Sequence, residues 1–599
     1  MRSPLLIFAC VLACLAPASP ALAGTSGLSK GLPHLSVTAA TDTAAVSAAA
    51  TAHPANANAP IPIALSNKVP AGRRLSPDQV LAIANKLPKM RAVRRKYPGS
   101  YGGVYLKLPF RWQVSYFSRG GGKEIGQVII GDLGGRVLEQ WTGFQVAWTM
   151  ARGYPGAFGE HVNALYVWLP MCLLFILPFL DFRRPFALLH LDLLVLLSFS
   201  VSLAFFNHAH IYASVPLAYP PLLYLLARML ALLRRSRRRG PGGGGAPPLR
   251  LLVPTPWLAV GIVFLLGFRV GLNVTDSNVI DVGYAGVIGA QRIATDRPLY
   301  GSFPTDNEHG DTYGPFNYEA YVPFQQIFGW SGSWDDLPAA HGAAIFFDLL
   351  AIGLLFLIGR RMRGPTLGVA LAYAWVSYPF TLFALESNTN DTLVAVLTLF
   401  ALLAASYRSK LAPMTRGVFA ALAGLTKLAP LALAPIFATH GLWELSPLRR
   451  ARALVLYLLG FCAAVALAFI PALSHDSLHQ IYERTLVYQA NRGSPFSVWG
   501  LYDLHTGERI VEIATVVLVL ALAVLPRRSD LLGLAAACAA AMIAVQLGME
   551  HWFYLYIPWF FALAILVLLG RFSDPGSPPM AAAPSAPARS TLPEAVLST

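Results

Sequence analysis

The chain has 599 residues, 55% of them hydrophobic and only 13% charged. Its mean hydropathy of +0.53 excludes an ordinary soluble globule and indicates an integral membrane protein. The formal net charge of +16 does not indicate a nucleic-acid partner. The Arg and Lys residues sit in short clusters beside apolar stretches (Arg183 and Arg184, 234–239, 360–363, 408–410, 449–452, Arg527 and Arg528). That bias orients membrane spans, and no basic stripe interleaved with aromatic residues accompanies it.

Residues 1–23 have the layout of a signal peptide: Arg2, an apolar core over 5–15, and Ala21, Leu22 and Ala23 as a small-residue cleavage site. Cys10 and Cys14 lie in this segment and Cys172, Cys462 and Cys538 in apolar stretches. No Cys/His metal spacing occurs, so no metal is expected. Residues 24–74 are rich in Ala, Ser, Thr and Pro and are expected to be a disordered tether.

A soluble module is expected over residues 75–150. Ser76, Pro77 and Gln79 mark a helix start, with Ser as N-cap, Pro at N1 and Gln at N3. That helix should end before Pro88. Alternating segments at 112–117, 124–130 and 136–141 then predict three antiparallel strands with turn glycines between them. One helix followed by three strands, ending in IGDLGGRVLEQWTG, resembles the PepSY family of small extracytoplasmic domains, which implies a binding or regulatory role.

Crossing the hydrocarbon takes about 20 apolar residues. Candidate spans lie near 162–180, 186–206, 211–233, 252–272, 341–359, 365–385, 390–407, 453–471, 510–526, 531–548 and 553–570. The first three form an accessory region over 161–233. A basic, Gly- and Pro-rich linker (234–250) separates them from a membrane domain over 251–571, and 572–599 is expected to be a disordered tail. The apolar segment 418–438 is better read as a re-entrant helical pair, broken at Pro430 and Pro435. That reading leaves the basic clusters before and after it on one side of the membrane. It also puts residues 75–150, 273–340 and 473–509 outside the cytoplasm, with 234–250 and the tail inside. The expected fold is an all-α polytopic membrane protein of about 11 spans plus the re-entrant pair, carrying a small N-terminal extracytoplasmic α+β domain.

The candidate chemistry concentrates in the loop 273–323. Asp276, Asp281, Asp306, Glu308, Asp311 and Glu319 all fall there. Carboxylates at a membrane surface suit an enzyme working at that boundary better than a transporter, whose ionisable groups sit at mid-bilayer. Asp281 precedes a run (Val279, Gly283, Gly286, Val287, Ala290, Ile293) that can form one face of a helix lying along the membrane. An Asp near that helix start can act as a proton acceptor or as a simple cap. Tyr313, Tyr318 and Tyr321 can anchor at the interface or stack on a sugar.

The order of motifs resembles the GT-C superfamily of membrane glycosyltransferases. Closest are the bacterial polyprenol-phosphate-mannose-dependent mannosyltransferases of glycosyltransferase family 87 and their arabinosyltransferase relatives. The matching residues are Asp281, Tyr284 and the Leu299–Tyr300 doublet in the first large loop. Tyr313, Gly314 and Pro315 follow as a variant of a YPP segment. Next come Asn388, Asn390 and Asp391 at a span start, the run Gly424, Leu425, Thr426, Lys427, Leu428, Ala429, Pro430, then the loop 489–494, and Glu550, His551 and Trp552 before the last span. The resemblance covers about residues 252–570. The first three spans and the N-terminal module are additions to the family pattern, and His551 is single where a pair is common.

The resemblance implies an inverting transfer of a sugar, mannose or a pentose, from a polyprenyl-phosphate donor to an extracytoplasmic lipid or cell-envelope glycan. No cofactor is implied, and membrane lipid is the surrounding partner in the bacterial inner membrane. It implies Asp281 as general base, with Asp276 and Asp311 as alternative acids. His551, Arg492 and Lys427 would steady the donor phosphate. Tyr284, Tyr300, Tyr313, Tyr318, Glu319, Asn390, Asp391 and Asn491 would contact donor or acceptor. A transporter or flippase of lipid-linked glycan, or a non-catalytic sensor gated by the N-terminal module, are the alternatives.

Overall fold

The structure is a computed structural model that describes residues 60–107, 110–119, 122–237, 248–334, 336–525 and 530–572. The expected signal peptide, residues 24–59 of the tether, the centre of the basic linker and almost all of the tail lie outside the described residues.

The N-terminal module is an antiparallel five-stranded meander in the order β1 (Ile61–Ile63), β2 (Tyr101–Lys107), β3 (Arg111–Phe117), β4 (Glu124–Gly131) and β5 (Val137–Thr142). Two helices cover it, α1 (Pro77–Lys86) and α2 (Pro88–Lys96). The start of α1 follows the sequence reading: Gln79 N–H donates to Ser76 Oγ, and Ser76 N–H donates to Gln79 Oε1 at 2.9 Å. Helix α1 stops before Pro88, as expected. The same proline then occupies the first turn of α2, where its missing N–H costs no intrahelical bond.

The sheet has two more strands than the alternation predicts. Gly102 and Gly103 interrupt the pattern of β2, and β1 is only three residues long and sits inside the stretch read as tether. Val80, Ala84, Met90 and Val93 pack against Val114, Tyr116, Val128 and Ile130 to form a core of its own. The buried Asp132 accepts from Trp112 Nε1 at 2.8 Å and from Arg74 N at 2.9 Å, tying the chain before α1 to the end of β4.

The rest is helical. Among the described residues, six helices are long and apolar enough to cross a membrane: Leu188–Asn207, Ile211–Leu233, Thr255–Asp276, Pro338–Arg363, Pro447–Leu473 and Leu531–Gly548. A bent pair, Pro365–Ser377 and Pro379–Glu386, makes up to seven. The expected 11 spans all coincide with helices. The remaining candidates are shorter apolar helices (Leu165–Phe179, Asp391–Ala405, Tyr554–Gly570) or, at His505–Val524, a helix whose first turns carry Glu508, Arg509 and Glu512.

The segment 418–438 is broken, but not at its prolines. The helix Ala412–Thr426 ends at Lys427, whose backbone is extended. Pro430 and Pro435 instead open the two short helices that follow, in first-turn positions. Helix Ala412–Thr426 lies flat on Pro447–Leu473 because Gly417 and Gly460 carry no side chain: a Cβ at either would sit about 2.1–2.2 Å from a backbone oxygen of the other helix. The bent pair that does pass as one span is Pro365–Glu386, with a 56° bend.

Candidate active site

The turn 386–390 is the hub of the site. Asn388 adopts φ +47, and its Nδ2 donates to Ser277 Oγ at 2.9 Å and to Asn278 O at 3.1 Å. Asn273 Nδ2 donates to Asn388 Oδ1 at 2.9 Å and Leu385 O at 2.8 Å. These bonds fix the start of the polar loop. Helix Asp281–Ala294 follows with Asp281 as its first residue; the N-cap is Ile280, which offers no side-chain cap. Asp281 is therefore not the capping residue that a local reading allows.

That helix does not lie exposed along the membrane. Residues 283–290 are all buried. Glycines at three-residue spacing make this possible. A Cβ on Gly283 would come within 2.2 Å of Asn388 O, and one on Gly289 within 2.2 Å of the Tyr318 ring. The helix is thus pressed onto the 386–390 turn and the Tyr318 segment, and Asp281 is held at its end.

The Asp281 side chain is exposed, yet protein surrounds it deeply enough that burial raises its carboxyl above the usual carboxylate range, against the pull of Arg492 and Lys427. A group that is open to solvent and enclosed by protein faces an internal recess.

Beside it lies a cavity of about 450 Å³ lined by Tyr313, Gly314, Lys427, Arg492, His551, Tyr556 and Trp559, with Glu508, Glu512 and Glu550 also on its wall. Lys427 reaches it because its helix ends there. Gly424 lets Leu431 fold back over that helix end, since a Cβ would meet Leu431 Cδ2 at 2.2 Å. Gly314, in place of a second proline in the Tyr313–Pro315 segment, rests on the Leu425 carbonyl, where a Cβ would approach to 2.1 Å. The Tyr313 turn and the Lys427 break are therefore one packed unit.

Lys427 Nζ pairs with Asp391 Oδ1 at 2.5 Å, and the same oxygen accepts from Trp559 Nε1 at 2.9 Å. Thr389 Oγ1 donates to the other Asp391 oxygen. The rings of Tyr556, Trp559 and Tyr313 surround the ammonium at 5.1, 5.2 and 5.6 Å. An ammonium has three donors; among the described residues only Asp391 takes one. Arg492 also lines the cavity, and among the described residues its guanidinium makes no hydrogen bond.

His551 lines the cavity too, and Ser494 Oγ lies 2.9 Å from its Nδ1. Burial, then the charges of Arg492 and Lys427, push its imidazole down to about 3. It is neutral at physiological pH and serves as a hydrogen-bonding group, not as the cation expected on the donor phosphate. Between about 3 and the ordinary 6.5, the unfolded chain binds a proton at this histidine that the folded chain does not. Stability from this site is complete above pH 6.5 and falls as pH drops toward 3. His551→Gln is expected to flatten that acid limb in thermal unfolding measured across the window. An unchanged limb would mean that the imidazole is not held neutral.

Three of the other acids of the loop are paired or neutral. Asp276 pairs with His161. Asp311 accepts from Gly301 N at 2.6 Å and Arg484 Nε at 2.7 Å, pinning the loop to the 483–487 segment. Burial raises the Glu319 carboxyl to about 8, so it is protonated at neutral pH and cannot be a second ionised carboxylate. Tyr300 OH donates to Tyr313 O at 3.0 Å and Tyr318 OH to Gly310 O at 2.8 Å, both buried supports of the Tyr313 turn. Tyr284 OH donates to Asp306 at 3.2 Å and its ring stacks on Trp334, away from the cavity. Asn390 is buried against Asn317. Asn491 is exposed and turns back to Val487 O at 3.0 Å.

Of the residues selected from sequence, the fold brings Asp281, Tyr313, Asp391, Lys427, Arg492 and His551 together. Tyr556, Trp559, Glu508 and Glu512 were not selected. The YLYIPWF run at 554–560 reads as an ordinary aromatic interface belt, which conceals the two rings that turn inward.

No family model matches the chain, and no curated protein matches it. Among solved structures, it has a likeness to the crystal structure of ArnT from Cupriavidus metallidurans bound to undecaprenyl phosphate. The two share 19% identity and a TM-score of 0.36, over 53% of this chain and 60% of that one.

Proposed function

We propose that the protein is a GT-C-type membrane glycosyltransferase that moves a sugar from a polyprenyl-phosphate donor to an acceptor hydroxyl. The observation that carries this reading is the meeting of Arg492 and Lys427 at one cavity, with an enclosed but open carboxylate, Asp281, close enough to feel the charge of both. The cations have uncommitted donors, which an anionic phosphate can accept. Asp281 takes the proton of the acceptor hydroxyl. The acceptor oxygen then attacks the anomeric carbon, the bond from that carbon to the phosphate oxygen breaks, and polyprenyl phosphate leaves against Arg492. A single displacement inverts the anomeric configuration. The motif resemblance over residues 252–570 supports mannose or a pentose as the sugar and an extracytoplasmic lipid or envelope glycan as acceptor.

The test is binding and transfer by the full-length protein in lipid nanodiscs. Polyprenyl phosphate is expected to bind the wild type, and Arg492→Met to weaken that binding about 10–100-fold, the scale of a lost charge-assisted bidentate contact. Equal binding by both would remove Arg492 from the phosphate site. Lipid-linked glycans of a deletion strain should contain an accumulated acceptor lacking one sugar; an unchanged glycan profile together with no transfer in vitro would overturn the reading.

A further inference from the structure

A second cluster of ionisable side chains lies away from the cavity, where the chain passes from the N-terminal module into the membrane. Glu160 and His161 immediately precede the first apolar helix, and Asp276 is the last residue of helix Thr255–Asp276. Each offers a ligand atom, and these atoms lie within 4.8 Å of one another. Two ionised carboxylates at that spacing repel, and a cation between them removes the repulsion. Asp276 also sits at the carboxyl end of a 22-residue helix, where the backbone dipole adds negative potential. His161 Nδ1 faces the Asp276 carboxylate directly.

The surroundings are built to hold these groups in place. Tyr154 OH lies 2.7 Å from His161 Nε2. A histidine that binds an ion through one ring nitrogen needs such a partner on the other, to fix the tautomer and the ring plane. Asn278 Oδ1 accepts from Gly159 N at 2.7 Å, and the His161 N–H donates to Asp276 at 3.2 Å. Between these anchored residues Glu160 is held at φ +46, a left-handed conformation that costs energy for a residue with a side chain.

We propose that Glu160, His161 and Asp276 form a binding site for a divalent transition-metal ion of the zinc class. One imidazole nitrogen and two carboxylate oxygens are a zinc-type set of three protein ligands with a position left for water. The imidazole disfavours magnesium and calcium, which take oxygen ligands. The ion ties the segment after the N-terminal module to the start of the polar loop, five residues before Asp281. Local sequence spacing conceals the site, because two ligands are adjacent and the third is 115 residues away.

The test uses the full-length protein in detergent, stripped with a chelator and dialysed. Zinc ion alone is titrated by calorimetry, bound metal is counted by elemental analysis, and thermal unfolding is followed. The expected result is one zinc per chain with a raised unfolding temperature. Glu160→Gln, which keeps size and shape, should weaken zinc binding about tenfold or more, and His161→Ala should abolish it. If His161→Ala fails to insert, Glu160→Gln decides alone. The proposal is overturned by substoichiometric zinc in the wild type, by unchanged affinity in Glu160→Gln, or by magnesium stabilising the protein as strongly as zinc. None of these readouts depends on sugar transfer.

Discussion

Asp281→Asn is expected to lower the rate of sugar transfer by about 10²–10⁴-fold, the range over which a positioned general base contributes. The amide keeps the shape of the side chain and its place at the start of helix Asp281–Ala294, but it cannot accept the proton. Thermal stability should change little, because that helix is held by its glycine-stripe contacts with Tyr318 and the Asn388 carbonyl and not by the carboxylate. Donor binding should be retained or tightened, since removing the carboxylate leaves Arg492 and Lys427 freer for phosphate. The control is Asp296→Asn, a surface carboxylate of the same loop paired with His475 at 2.8 Å and 86% exposed. Near-wild-type turnover in Asp281→Asn would exclude it as the base. Because burial raises the carboxyl, transfer should also fall as pH drops through that raised value, and this acid limb should be missing from the residual activity of Asp281→Asn.

Lys427→Met is expected to damage both folding and turnover, and the two effects should separate. Lys427 and Asp391 are buried together, with side-chain exposures of 9% and 1%. Removing the ammonium leaves Asp391 buried without its counter-charge, a change that costs about 3–5 kcal/mol in buried pairs. Removing both charges, in Lys427→Met with Asp391→Asn, should restore most of that stability, because the amide oxygen introduced at position 391 can still accept from Trp559. Turnover should remain about 10²–10³-fold low in the double variant, the scale of losing one preorganised donor to a developing anion. Unfolding in detergent and transfer kinetics on the wild type, the single variant and the double variant provide the comparison. Recovery of both stability and turnover in the double variant would make Lys427 a structural residue only. Failure to recover stability would mean that the aromatic box, not the ion pair, sets the energy of the site.

Much of the frame was legible in the chain because it depends on local physics. The capping box at Ser76 and Gln79 depends on residues three apart, and it forms as the spacing predicts. Apolar runs of sufficient length fell on helices throughout the membrane region, and the helix starting at Asp281 follows from its own periodicity. The departures are also local in cause. Gly102 and Gly103 conceal β2, and Lys427 ends its helix three residues before Pro430, where the sequence predicts the break. Prolines permit a helix to begin as readily as they end one.

The site itself was decided by tertiary structure. Seven acidic residues of similar appearance fall between 273 and 323, and only their distant partners tell them apart. Asp276 is matched with His161, Asp311 with Arg484, Glu319 is set apart by burial, and Asp281 is matched with two cations and open space. The enclosing rings of Tyr556 and Trp559 lie more than 120 residues from Lys427. Local periodicity records which face of a helix is apolar, but not which charge that face will meet. The protonation of His551 and Glu319 depends on how far each is removed from water and on which charges surround it, and packing alone sets both.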